Sequence, residues 1–231
     1  MADKRHYGQF CGLAAALDVV GERWTLLIIR ELLISPARFS EITDNLPGIG
    51  PNLLTDRLKQ LTERGLIESA PVPGDARGKQ YRLTELGEAL RPMLLSMARW
   101  GMKFLTEEDV LHGVSRAAWG FLAVQAMIDQ SRLPNVEESY EFRVDDEVFH
   151  IAVRGGKALA RRGHADEPSL VVTTDASTFI RIGAGILIPF DAVIAGALRI
   201  EGDPRAVQRC MRLIGLSPMA SETPPGTLPE D

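Results

Sequence analysis

Cysteine is nearly absent from this 231-residue chain: Cys11 and Cys210 stand far apart and form no CxxC pair. That excludes a disulfide framework and suits a reducing compartment. Long apolar runs are missing as well, none approaching the ~18 residues that a membrane span needs. The opening MADKRHYGQF holds no apolar signal core, so a cytoplasmic location with no membrane partner is expected. The histidines His6, His112, His150 and His164 are scattered without ligand spacing, so no metal is expected. Gly183-Ala184-Gly185 lacks the third glycine of a dinucleotide fingerprint, and Gly155-Gly156-Lys157 lacks the frame and hydroxyl of a phosphate loop. No Gly-x-Ser-x-Gly elbow occurs. These absences argue against an enzyme and call for no cofactor.

What remains is a globular composition, 45% hydrophobic and 25% charged, with length for two domains that each bury a core. Charge is divided unevenly. Residues 1–105 carry 14 Lys/Arg against 12 Asp/Glu, a net +2, whereas 106–231 carry 12 against 19, a net −7. The first half can steer nucleic acid only modestly by net charge. Its cations are nonetheless grouped.

The grouping centres on Leu46 to Glu68. Pro51 suits the first turn of a helix, where its missing N–H costs nothing. Leu54, Leu58 and Leu61 recur at helical spacing on one face, while Asn52, Thr55, Asp56 and Lys59 face the other, with Arg57 on the flank. Gly65 stops the helix. Short polar side chains near a helix N-terminus, with a few cations, are what base edges and phosphates require. An ordinary amphipathic surface helix would read the same way.

Upstream, Phe10 to Val20 reads as a helix with Leu13, Leu17 and Val20 on one side, closed by Gly21. A second helix places Trp24, Leu27, Ile28, Glu31 and Leu32 on a core-facing stripe, and Ser35-Pro36 ends it. Ser40 is the expected cap of a short helix that buries Ile42 and Leu46, with Pro47-Gly48 as the turn into the next. This is a helix-turn-helix pattern. Downstream, 66–70 and 80–83 read as strands, with Pro73-Gly74-Asp75 and Gly78 turning between them and Arg77 and Lys79 at the tip. A hairpin there is either a wing laid along the phosphate backbone or a solvated basic loop. Thr84 then caps a long helix carrying Leu86, Leu90, Met93, Leu94, Met97, Trp100 and Phe104, kinked at Pro92. Its stripe is expected to serve dimerisation.

The run CGLAAALDVVGERWTLLIIRELLISPARFSEITDNLPGIGPNLLTDRLKQLTERGLIE, followed by YRLTELGEALRPMLLSMARWG, resembles HxlR-type winged helix-turn-helix transcriptional regulators over about residues 10–105. The likeness lies in Cys11, the Trp-Thr-Leu-Leu-Ile core, Arg38-Phe39-Ser40, the Pro-Gly-Ile turn, Arg57-Leu58, Tyr81-Arg82-Leu83-Thr84 and Pro92. The resemblance implies a MarR-like homodimer that binds double-stranded DNA at a palindromic operator, as a repressor or an activator; a repressor is expected. Gly50 and Asn52 stand where Ser and a basic residue are usual, and Asp56 adds an anion, which bears on the operator sequence. Related regulators use a Cys before the first helix as a redox or electrophile sensor, so Cys11 is either a sensing thiol or a small buried hydrophobe.

In the second half, Thr106-Glu107-Glu108-Asp109 opens a helix that turns Val110, Val114, Ala117, Phe121 and Ile128 inward and ends before Pro134. Tyr140, Phe142 and Val144 then alternate, Asp145-Asp146 turns, and 148–154 alternates again as a hairpin. Gly155-Gly156 turns into 157–162; LVVTT at 170–174 is an apolar strand; Asp175 caps a helix; 198–201 is a strand; Asp203-Pro204 starts a last helix. The Pro-rich 217–231 reads as a disordered tail. Ala195-Gly196-Ala197-Leu198-Arg199-Ile200-Glu201-Gly202-Asp203 and its surroundings, over about 107–216, resemble the sterol carrier protein 2-like fold. That resemblance implies a sheet packed by helices around an apolar tunnel for fatty acyl or sterol-like ligands.

The expected fold class is α+β: a winged helix-turn-helix domain with its dimerisation helix at 1–105, a sterol carrier protein 2-like domain at 106–216 and a tail at 217–231. Expected DNA contacts are Arg38, Pro51, Asn52, Thr55, Arg57, Lys59, Arg77 and Lys79. Expected dimer contacts are Leu90, Leu94, Met97, Trp100 and Phe104. A ligand would meet Phe121, Phe142, Phe149, Ile151, Phe179, Ile188 and Phe190. The rivals are a lipid carrier whose winged helix binds no DNA, and a regulator switched at Cys11.

Overall fold

Residues 6–216 are described by a computed structural model, and the chain divides between Leu94 and Leu95 into two compact units. The first unit begins with α1 (Gly12–Val20), whose N-cap is Cys11, and α2 (Thr25–Ile34). Trp24 precedes α2 at φ 77°, in the left-handed region that bulky residues rarely enter. Its ring lies beneath Gly48, itself at φ +95°; a Cβ there would stand 3.5 Å from the indole. The turn before the next helix is thus pressed against an aromatic plate. The stripe of α2 is wider than its spacing suggested: Ile28, Ile29, Glu31, Leu32 and Leu33 are buried, whereas Leu27 is exposed.

Helix α3 (Phe39–Asn45) starts one residue before Ser40. Arg38 holds the cap position and donates its N–H to the Glu41 carboxylate. Helix α4 (Pro51–Glu63) begins on Pro51 and buries Leu54, Leu58 and Leu61. Strands β1 (Ile67–Val72) and β2 (Asp75–Leu83) pair antiparallel. The expected turn is shorter than its sequence suggested. Only Pro73-Gly74 lies between the strands, so Arg77 and Lys79 fall inside β2 and not at the tip. Ala37 and Tyr81 exchange backbone hydrogen bonds at 3.0 and 2.8 Å, pinning the hairpin beside the start of α3.

The long helix expected after Thr84 is two helices. Thr84 caps the short α5 (Glu85–Glu88), and α6 (Arg91–Gly101) restarts with Pro92 in its first turn. Proline is tolerated there because the first-turn N–H groups have no partner to lose, so a break replaces the kink.

The second unit likewise splits one expected helix into α7 (Glu107–His112) and α8 (Ala117–Met127). Gly113 leaves the helix with ψ 155°, and Val114 is turned outward, 57% exposed. The sheet holds β3 (Glu138–Val144), β4 (Glu147–Arg154), β5 (Lys157–Arg162), β6 (Leu170–Thr174) and β7 (Leu198–Gly202). Their order is β5-β4-β3-β6-β7, all antiparallel except β3 with β6. Helices α9 (Ala176–Gly183), α10 (Pro189–Ile194) and α11 (Pro204–Leu213) complete it, with Asp175 and Asp203 accepting from cap N–H groups as expected. Phe121, Phe142, Phe149 and Phe179 form an aromatic cluster with centroids 5.6–6.0 Å apart.

One polar cluster crosses this core. Arg209 donates to both Glu138 oxygens and to Asp203, and the buried Tyr140 hydroxyl donates to Glu138. Burial raises the Glu138 pKa, but these donors outweigh it and hold the carboxyl below its ordinary value. Among the described residues no helix is long and apolar enough to cross a membrane. The region 217–231 lies outside the described residues.

Candidate functional site

Two surfaces need explaining: a bare polar helix face and an apolar pocket. On α4 the leucines fix the rotation of the helix, so Asn52, Thr55, Asp56 and Lys59 all face outward and are exposed. Thr55 Oγ1 donates back to Pro51 O at 2.9 Å, so its hydroxyl oxygen keeps only acceptor capacity for a partner. Lys59 is 72% exposed, with Glu63 no nearer than 4.0 Å.

Arg57 is placed differently from these neighbours. Its side chain is only 12% exposed, donating to Glu22 Oε2 at 2.8 Å, to Arg23 O at 3.2 Å and to Gln60 at 3.1 Å. It ties α4 to the start of α2. Arg38 Nη2 meets Asp75 Oδ2 at 3.0 Å, and Asp75 Oδ1 accepts from Gly78 N at 2.9 Å. That bridge fixes the hairpin turn relative to α3. Lys79, opposite Pro71, is exposed on β2; Arg77 lies in the same strand, its side chain outside the described part.

Helix α6 buries none of its residues. Met97, Trp100 and Phe104 are 48%, 62% and 59% exposed, and the last two rings stack tilted at 4.6 Å. Leu90 and Leu94 are half-buried. Leu13 and Leu17 of α1 are also outside, as are Tyr7 and Phe10. Among the described residues nothing covers this apolar stripe.

Cys11 is exposed, not a buried hydrophobe. Its place before the free Ala14 and Leu13 N–H groups at the start of α1 holds the thiol pKa below its ordinary value. Among the described residues no group of His, Cys, Asp or Glu could hold a metal ion.

The pocket of the second unit is partly open to solvent, with a cavity volume of about 80 Å³. Its floor is Phe142 of β3, Leu170 and Val172 of β6, and Leu198 and Ile200 of β7; helices α8, α9 and α11 wall it. Of the expected ligand contacts it brings together Phe142 and Phe179. Phe121, Phe149 and Ile151 do not reach it, because they pack over β4 while the pocket lies over the β3-β6-β7 half. Ile188 caps α10 off the lining, and Phe190 is 67% exposed. Sequence reasoning missed Met102, Met127, Cys210, Met211 and Ile214. The helical spacing of Val207, Cys210, Met211 and Ile214 was the available signal. Cys210 is fully enclosed, and burial pushes its thiol pKa up, the opposite of Cys11.

Comparison with known proteins matches residues 19–109 to the HxlR-like helix-turn-helix family and 122–215 to the SCP-2 sterol transfer family. An HTH-type transcriptional regulator of Mycobacterium tuberculosis (strain CDC 1551 / Oshkosh) is 38% identical over 109 residues, covering 47% of this chain and 68% of that protein. The HTH-type transcriptional regulator YodB of Bacillus subtilis (strain 168) is 34% identical over 99 residues, covering 43% and 88%. Among solved structures, the reduced form of YodB matches at 34% identity and TM-score 0.37, covering 43% of this chain and 98% of that one.

Proposed function

The chain belongs to the HxlR-like helix-turn-helix transcriptional regulators, and from that premise we propose that it acts as a homodimer that represses by binding a two-fold DNA operator. The observation that carries this is the exposed Asn52, Thr55 and Lys59 face of α4, left bare beside the β1–β2 hairpin. Asn52 and Thr55 offer donors and acceptors to base edges; Lys59, Arg77 and Lys79 offer charge to phosphates. Arg57 and Arg38 act one step back, holding α4 and the hairpin in position. The apolar α6 stripe supplies the dimer contact, which sets half-sites about one helical turn, ~10 bp, apart. The pocket takes an apolar effector. Its carbon-and-sulfur lining cannot satisfy a buried charge.

A mobility-shift titration with the DNA upstream of the chain's own coding sequence tests the reading. Retardation at low salt is expected, weakened uniformly when Lys59 and Lys79 are both replaced by Ala. No retardation at low salt favours a lipid carrier instead. A second reading rests on Cys11: its exposure and lowered pKa make it the reactive thiol, and oxidation there adjusts DNA affinity. Cys11→Ser should keep DNA binding while removing any response to diamide; a persisting response sinks the thiol reading.

A further inference from the structure

We propose that α9 reports pocket occupancy to α6, with Met102 as the side chain that is displaced; this rests on reading the pocket as an effector site. Every lining residue but one comes from the stretch 123–216. The exception is Met102, in the 3-10 turn that directly follows α6. Its ε-methyl lies over Gly183, the last residue of α9, where a Cβ would stand only 2.8 Å away. Glycine is a poor helix former. Here its bare Cα is what leaves room for the methyl.

The same helix grips the connecting segment a second time. Arg181 Nη2 donates to Glu107 Oε1 at 2.6 Å. Meanwhile Phe179, Ile180, Ile182 and Gly183 line the pocket. Helix α9 therefore has one side on the ligand space and two holds on the chain that leads to α6. The floor is less able to yield, since β3 and β6 are hydrogen-bonded on both edges. An apolar molecule that fills the pocket thus pushes on α9 and Met102. Helix α6 runs without interruption from Arg91 in the first unit to Gly101, one residue before Met102. Displacing Met102 moves the end of one continuous helix. A ligand alters DNA affinity by this route only because the two positions of Met102 bind it differently.

The test uses the full chain with 1-dodecanol as probe, binding read by calorimetry and DNA affinity by fluorescence anisotropy. In the wild type, saturating dodecanol should lower DNA affinity by ~10-fold, within the usual range of allosteric coupling. Met102→Ala, read at saturation so that its own dodecanol affinity does not enter, should reduce that response to less than about 2-fold. Glu107→Gln, at an exposed carboxylate off the lining, should bind dodecanol as the wild type does and lose at least half of the response. Gly183→Ala should weaken DNA binding with no probe present, because its methyl takes the place of Met102's. A full response in both Met102→Ala and Glu107→Gln overturns the coupling and leaves the effector site standing. So does dodecanol binding to the wild type without any change in DNA affinity. No dodecanol binding by the wild type removes the effector site itself, and the coupling with it.

Discussion

The two halves of the chain differ in where surplus apolar surface can be satisfied. In the winged-helix half the core of Ile28, Ile29, Ile42, Leu54, Leu58 and Leu61 is filled, and the surplus lies outside, on α1 and on α6, the helix that carries the boundary between the units. The other half also leaves Leu111, Leu159, Phe190 and Ile194 outside, but it turns further apolar surface inward around a hollow above three strands. A stripe left in water is satisfied by a second protein surface; a hollow lined with carbon is satisfied by a small molecule. The difference teaches where to look for partners: outward from α6 and inward from β6.

The largest effect should come from breaking the contrast at its centre. Leu54→Ala removes a wholly buried side chain from a filled core and should cost about 2–5 kcal/mol in urea unfolding. Ala123→Leu adds carbon to the hollow and should do the reverse, raising stability by about 0.5–2 kcal/mol while abolishing dodecanol binding. A loss of stability in both would mean the hollow is no different from a core. Next comes the polar cluster. Arg209→Met takes the charged partner from the buried Glu138 carboxylate, leaving it the Tyr140 hydroxyl, and should cost about 3 kcal/mol at pH 7.

The pH dependence of that cost has a defined sign. In the native protein Glu138 has a lowered pKa, so its contribution is full above the ordinary carboxylate range of about 4.3 and is lost as pH falls through the lowered value. Without Arg209 only the Tyr140 hydroxyl, of the donors to Glu138, still opposes burial, so that pKa rises. The deficit of the variant should therefore shrink as pH falls from 7 to 4, measured by urea unfolding at each pH. A deficit that grows on acidification would show that Arg209 does not set the carboxyl.

Trp100→Ala should weaken dimerisation by about 2 kcal/mol, as truncation of a central aromatic contact does, read by sedimentation equilibrium. A change of the same kind on α10, Phe190→Ala, should leave the dimer unaltered. If the two weaken it equally, the dimer contact is not confined to α6. The smallest effect is Lys79→Ala: the slope of log affinity against log salt should flatten by about one, with no change in which sequences are preferred.

Much of this was legible. Leucine spacing gave α4 its buried face, Pro51 its start, and Gly65 its end. The turn into β5 was read from its residues, as Gly155-Gly156 at φ 56° and 70° shows, whereas the turn between β1 and β2 was read too long. Breaks inside helical patterns were harder. Apolar periodicity continues through Ala89-Leu90 and through Gly113-Val114, because neighbouring short helices can share one stripe. At the site, exposed polar residues on α4 were found and Arg57's inward hold was not. An arginine's reach is about the length of its side chain, so sequence spacing cannot say whether water or Glu22 receives it.

What the residues decided alone is local: periodicity, caps and turns act over a few positions, and they fixed the helix-turn-helix order and the strand alternation. What only the tertiary structure decided is where side chains from distant segments converge. The hollow needs β3, β6, β7, α8, α9 and α11 to meet without filling the space between them, and Met102 reaches it from the far side of α7. Empty volume is set by how elements pack against one another, and no window of sequence contains that sum.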